Sequence, residues 1–147
     1  MRYVTLFLLA FGLGFWAHSA AEGPGRATGI GGVFLTSEDP AALKGWYQRH
    51  LGMPMDEHGV MFEWKTLDSK RGVTQWSVMR RGSEYLAPSK APYMINYRVD
   101  HLETLVERLK ADKVQVLDAI EVTPYGNFVH VLDCDGNKVE LWEPPAA

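Results

Sequence analysis

The chain has 147 residues, 46% hydrophobic and 22% charged, a balance that excludes a disordered or fibrous protein and predicts one globular domain. A net charge of −3, with lysines and arginines scattered rather than gathered in a basic stripe, argues against a nucleic-acid partner. Cys134 is the single cysteine, so no internal disulfide can form and stability must come from an ordinary core.

Met1, Arg2 and Tyr3 make a short basic start, followed by a largely apolar run over residues 4–16. That run falls short of the about 20 residues of a spanning helix and matches the roughly 7 to 15 of a secretory core. Ala17, Ser19, Ala20 and Ala21 supply the small residues of a cleavage site, best placed after Ser19 or Ala21. The expectation is a signal peptide over residues 1–21, an exported (periplasmic or secreted) mature protein and no stable membrane anchor. An uncleaved N-terminal anchor is the alternative. Residues 22–28 contain Gly23, Pro24 and Gly25 and read as a flexible lead-in.

Val33 and Leu35 alternate with Gly32, Phe34 and Thr36, which predicts a strand over 29–37. Asp39 offers an N-cap and Pro40 suits a first helical position, so 41–51 reads as a helix closed by Gly52, with an apolar stripe including Leu43, Trp46, Tyr47 and Leu51. Strands follow over 60–65 and 73–79, and a weaker one at 84–86. The order then repeats. A strand over 93–99 leads to Asp100 as cap of a helix over 101–110, with Glu103 completing a capping box. Strands over 114–117, 128–132 and 138–142 close the chain. Strand-helix-strand-strand occurring twice, about 60 residues apart, is an internal duplication. The predicted fold is α+β: two βαβββ modules, about 29–87 and 92–145, forming a cup-shaped mixed sheet with helices on its outer face.

Parity lines the cup. The turn formers Asp133-Cys134-Asp135-Gly136-Asn137 place Cys134 in a turn, and a loop with Gly136 left-handed pairs Leu132 with Lys138 and His130 with Glu140. Val129, Val131, Val139 and Leu141 then face the helices, and Phe128, His130, Glu140 and Trp142 face the cup. The same argument puts Ile95, Tyr97 and Val99 in the core, and Met94, Asn96 and Arg98 in the cup. Gln75 shares a face with Ser77, while Trp46, Tyr47 and Trp76 read as core aromatics.

Gly-Ile-Gly-Gly-Val-Phe-Leu at 29–35, Asp39-Pro40, Trp46-Tyr47, Leu51-Gly52 and Asn96-Tyr97-Arg98-Val99-Asp100 form a recognisable set with the closing run Asp135-Gly136-Asn137-Lys138-Val139-Glu140-Leu141-Trp142-Glu143-Pro144. Together they resemble the vicinal oxygen chelate superfamily, the fold of glyoxalases, bleomycin-resistance proteins and extradiol dioxygenases, and the closing run is the most specific part. The resemblance implies a glyoxalase-like domain over 29–145, a homodimer, and in metal-dependent relatives one divalent ion held by four side chains. Carried over, those positions fall at Gly32, Gln75, Met94 and Glu140. Gly32 has no donor and the Met94 thioether is soft, so only Gln75 and Glu140 could ligate.

The expected function is small-molecule binding in a cup lined by Gln75, Asn96, Arg98, His130, Glu140 and Trp142, with no cofactor and without the family's intact metal site. The alternative is a divalent-metal-dependent lyase, isomerase or dioxygenase, lactoylglutathione lyase-like, in which His130 rebuilds the site and Glu140 and His130 are the catalytic candidates. A third reading keeps the fold for interaction alone. Glu140 could equally be a buried charge neutralised by Arg98 or His130 without further role.

Overall fold

The computed structural model describes residues 23–66 and 70–146; the expected signal peptide lies outside them. Among the described residues no helix is long and apolar enough to cross a membrane. The elements are β1 (Arg26–Ser37), α1 (Pro40–Leu51), β2 (Val60–Lys65), β3 (Arg71–Arg80), a 3-10 turn (Glu84–Leu86), β4 (Tyr93–Asp100), α2 (Leu102–Ala111), β5 (Glu121–Thr123), β6 (Gly126–Leu132) and β7 (Lys138–Glu143). The strands form one mixed sheet in the order β2-β3-β1-β4-β7-β6-β5. β1 and β4 meet antiparallel at its centre, and each has a parallel neighbour from its own module, β3 and β7. This arrangement is the expected α+β duplication.

Local chemistry explains the ends of α1. Asp39 accepts from the Ala42 N–H, Pro40 opens the helix, and Gly52 closes it at φ 63°, where glycine carries no steric cost. α2 differs from expectation. Its cap is His101 in a left-handed conformation without a side-chain bond, because Asp100 instead accepts from the Arg26 N–H and pairs with its guanidinium. Glu143 of β7 takes over, accepting from the Leu102 N–H at 3.3 Å.

Three other expectations are corrected. β1 begins at Arg26, inside the segment read as a lead-in, since Arg26 and Ala27 pair with Asp100 and Val99. Residues 84–86 form a 3-10 turn capped by Ser83 rather than a strand. The strand expected over 114–117 is only a bridge between Val116 and Val131, and the outermost strand is β5 instead.

The two modules bury unequal amounts. Val99, Leu102, Leu105, Val106, Val129, Val131 and Leu141 make the core beneath α2. α1 has no buried residue, and Trp46, expected in the core, is 50% exposed, edge-on to Tyr47. Leu102→Ala should therefore cost about 2–5 kcal/mol by leaving a cavity, while Leu51→Ala on the exposed side of α1 should stay within about 0.5 kcal/mol. Urea denaturation of both variants checks this; equal losses would contradict the unequal burial.

Candidate functional site

Register aligns one position from each of six strands, five side chains and a glycine, across the sheet face opposite the α2 core. Met61 pairs with Gln75, Gln75 with Gly32, Gly32 with Asn96, Asn96 with Glu140, and Glu140 with His130. The hairpin register read from Gly136 is the observed one, with Leu132 opposite Lys138. On β4 the line passes through Asn96. Met94, the position carried over from the family, sits two residues along opposite Phe34 and is fully buried.

Glu140 is the centre of the site, at 2% exposed. Tyr85 Oη and His130 Nε2 donate to its Oε1, the latter at 2.9 Å, and Asn96 Nδ2 donates to Oε2 at 2.5 Å. His130 is itself held from behind: Asp118 accepts from its backbone N–H at 2.8 Å and from Nδ1 at 2.6 Å. The Tyr85 ring stands edge-on to the imidazole, and Lys138 donates to the Tyr85 carbonyl with its ammonium 5.0 Å from that ring. The 3-10 turn thus covers one end of the line.

Burial opposes the charge on Glu140, but the hydrogen bonds from His130, Tyr85 and Asn96 outweigh it and hold the carboxyl below its ordinary range. Burial likewise opposes the imidazolium, and the bonds to Glu140 and Asp118 outweigh it, raising His130 above 6.5. Tyr85 moves up, through burial first and then the Glu140 charge, so it stays a neutral donor.

Beside this network lies a cavity of ≈ 270 Å³, lined by Gly31, Phe34, Met61, Val73, Gln75, Asn96, Tyr125, Phe128, Glu140 and Trp142. Phe128 and Trp142 stack at 6.3 Å, and the Trp142 indole donates to the Tyr125 carbonyl at 2.9 Å. Met61, Val73, Tyr125 and Trp142 also line a wider cleft of ≈ 640 Å³, which carries Arg98. Of the predicted lining residues, Gln75, Asn96, Glu140 and Trp142 reach the inner cavity; Arg98 stands in the outer cleft and makes no ion pair with Glu140. His130 lies behind Glu140, with both ring nitrogens engaged. Gln75 turns its amide nitrogen toward Ser77 Oγ and the His58 carbonyl.

Sequence reasoning missed Tyr85 and Asp118. Tyr85 sits in a turn without periodicity. Asp118 had one signal: pairing the segment around Val116 against β6, as the bridge to Val131 does, carries Asp118 to His130.

The donor set does not fit the family's ion. Gly32 contributes no donor, Gln75 and Asn96 are amides, and both oxygens of Glu140 already accept hydrogen bonds. Among the described residues no group of three or more His, Cys, Asp or Glu is placed to hold a metal ion.

The family model of the Glyoxalase/Bleomycin resistance protein/Dioxygenase superfamily matches residues 29–141. The chain belongs to this superfamily. Among solved structures, methylmalonyl-CoA epimerase from Mycobacterium tuberculosis is similar over 82% of this chain and 90% of its own, at 21% identity and TM-score 0.56. A variant of the Streptomyces coelicolor methylmalonyl-CoA epimerase in complex with 2-nitronate-propionyl-CoA is similar over 83% and 98%, at 17% identity and TM-score 0.63. A superfamily member from Vibrio splendidus 12B01 is similar over 76% and 95%, at 14% identity and TM-score 0.50. At these identities the likeness is one of fold. No curated protein matches the chain.

The pairing of His130 with Glu140 fixes a pH dependence. A raised His130 contributes stability that is complete below its unfolded value of 6.5 and is lost as pH rises through its folded value. A lowered Glu140 contributes stability present above 4.5 and lost as pH falls through its folded value. The stability advantage of the wild type over His130→Gln should therefore shrink above pH 6.5. Urea melts across pH 5–9 measure it; a difference independent of pH would contradict a charged His130.

Proposed function

We propose that this superfamily member is a metal-independent binding protein that takes a small organic molecule in the cup. One observation carries the reading: Glu140, at the family's carboxylate position, is committed to Tyr85, Asn96 and His130, leaving beside it an aromatic-lined cavity with few polar groups. A rebuilt site is disfavoured by the same bonds, because His130 would have to abandon either Asp118 or Glu140 to turn a nitrogen toward an ion. In the proposed pose the ligand's inner end lies against Trp142 and Phe128, and its outer end reaches the cleft at Arg98.

Elemental analysis of protein purified without chelator should find well under one equivalent of Mn, Fe, Co, Ni or Zn, and His130→Ala should leave that result unchanged. One tightly held equivalent, lost in both His130→Ala and Glu140→Ala, would reject the reading and promote the metal-dependent enzyme in its place. For ligands with an anionic outer end, Arg98→Ala should weaken binding by about 1.5–3 kcal/mol, the scale of a hydrogen bond to a charged group.

The proposal includes export and dimerisation. The basic start and short apolar run of residues 1–21 support export, and the open edges of β2 and β5 support pairing of copies. Mass spectrometry should give a mature N-terminus at Ala20 or Glu22, and light scattering the mass of two chains; a membrane-bound chain starting at Met1, or a monomer at micromolar concentration, would count against these parts.

A further inference from the structure

We propose that the floor of the cup selects a ligand by a hydrogen-bond donor, an N–H or O–H on a planar uncharged ring, which Asn96 Oδ1 accepts. The inference rests on the binding reading above and adds the polarity of the ligand's inner end. Asn96 is 3% exposed and lines the inner cavity, yet its Oδ1 is the one buried side-chain polar atom without a partner among the described residues. Leaving such an acceptor unmet costs free energy that a ligand donor recovers.

The orientation of the amide follows from its neighbour. Glu140, held toward its ionised form by the donors around it, accepts at both oxygens, so Asn96 turns its NH₂ to Oε2 and its oxygen away. That oxygen points to Gly31. A Cβ on residue 31 would lie 2.2 Å from Oδ1 and 2.7 Å from Trp142 Cε3, so only glycine fits against this oxygen and the indole edge beside it. Gly31 is also the extra residue of the β1 bulge, between the pairs Ile30–Tyr97 and Gly32–Asn96, which brings its bare backbone against this spot.

The edge of Trp142 closes Oδ1 from solvent, so the donor reaches it by sliding beneath an indole that then stacks on the ligand ring. An inner carboxylate or carbonyl would instead meet Asn96 Oδ1 and the Glu140 charge. The floor therefore has the opposite preference from one that presents a cation to ligand oxygens. A cavity of ≈ 270 Å³ holds one or two fused rings.

The test uses matched probes on the wild-type protein: indole against 1-methylindole, and phenol against anisole, followed by calorimetry and by the NMR signals of the Asn96 side-chain amide and the Trp142 indole N–H. Indole and phenol should bind about tenfold more tightly than their capped partners, shifting both signals. Gly31→Ala should erase the preference. Because that variant could also disturb β1, the wild-type comparison stands as the deciding measurement. Equal or tighter binding of the methylated probes, with shifts at Trp142, would overturn the donor rule while leaving the binding reading intact. No binding of any of the four at millimolar concentration would overturn both.

Discussion

An ionised carboxylate can sit on the floor of a hydrophobic cup only if its lone pairs are met and its charge is countered. Glu140 ranks with Met94, Leu102 and Val129 among the most deeply buried large side chains, and it is the only charged one of the four. Its donors come from separate elements: Tyr85 from the 3-10 turn, Asn96 from β4 and His130 from β6. Asp118 extends the chain of bonds to the loop before β5. One acidic residue on β7 thereby ties together pieces of chain that local propensity would not assemble. Truncating it would strand three donors, two of them on the buried Asn96 and His130, which makes the network cooperative as well as neutralising.

The duplicated modules share the site unequally. The second supplies the packed core beneath α2 and, on the other face of the same strands, the polar floor of Asn96, Glu140 and His130. The first supplies walls: Phe34, Met61, Val73 and Gln75, on strands overlaid by a helix that buries no residue. The polar constellation is held both by the strand ladder and by its own hydrogen bonds, whereas the walls are held by the ladder and apolar packing.

Much of this was legible where side chains alternate. Gly136 with the turn formers around it fixed the β6–β7 register, and parity then separated Val129, Val131, Val139 and Leu141 from Phe128, His130, Glu140 and Trp142. Legibility failed where tertiary contacts override local chemistry. Asp100 has the form of a helix cap, yet Arg26, distant in sequence, claims it. Trp46 has the spacing of a core residue, yet among the described residues nothing covers it and it stays half exposed. Tyr85 and Asp118 act from irregular chain, where no period marks a residue as inward-facing.

On the proposed metal-independent reading, hydrogen bonds in place of a metal change what the cup would discriminate. A divalent ion is a point of positive charge that draws in any oxygen-rich ligand, and its partners need only be arranged around it. In this chain His130, drawn toward its charged form by Glu140 and Asp118, stands behind the carboxylate rather than in front of it. Polarity is handed on in sequence: Asp118 orients His130, His130 holds Glu140 ionised, Glu140 takes the Asn96 NH₂, and the Asn96 oxygen is left facing Gly31. Each link removes one degree of freedom from the next, so a single acceptor of fixed direction stands at the end of the line. On the proposed reading, recognition then depends on a directional hydrogen bond beneath an aromatic ring, an interaction that distinguishes molecules differing by one proton donor and is indifferent to their capacity to chelate.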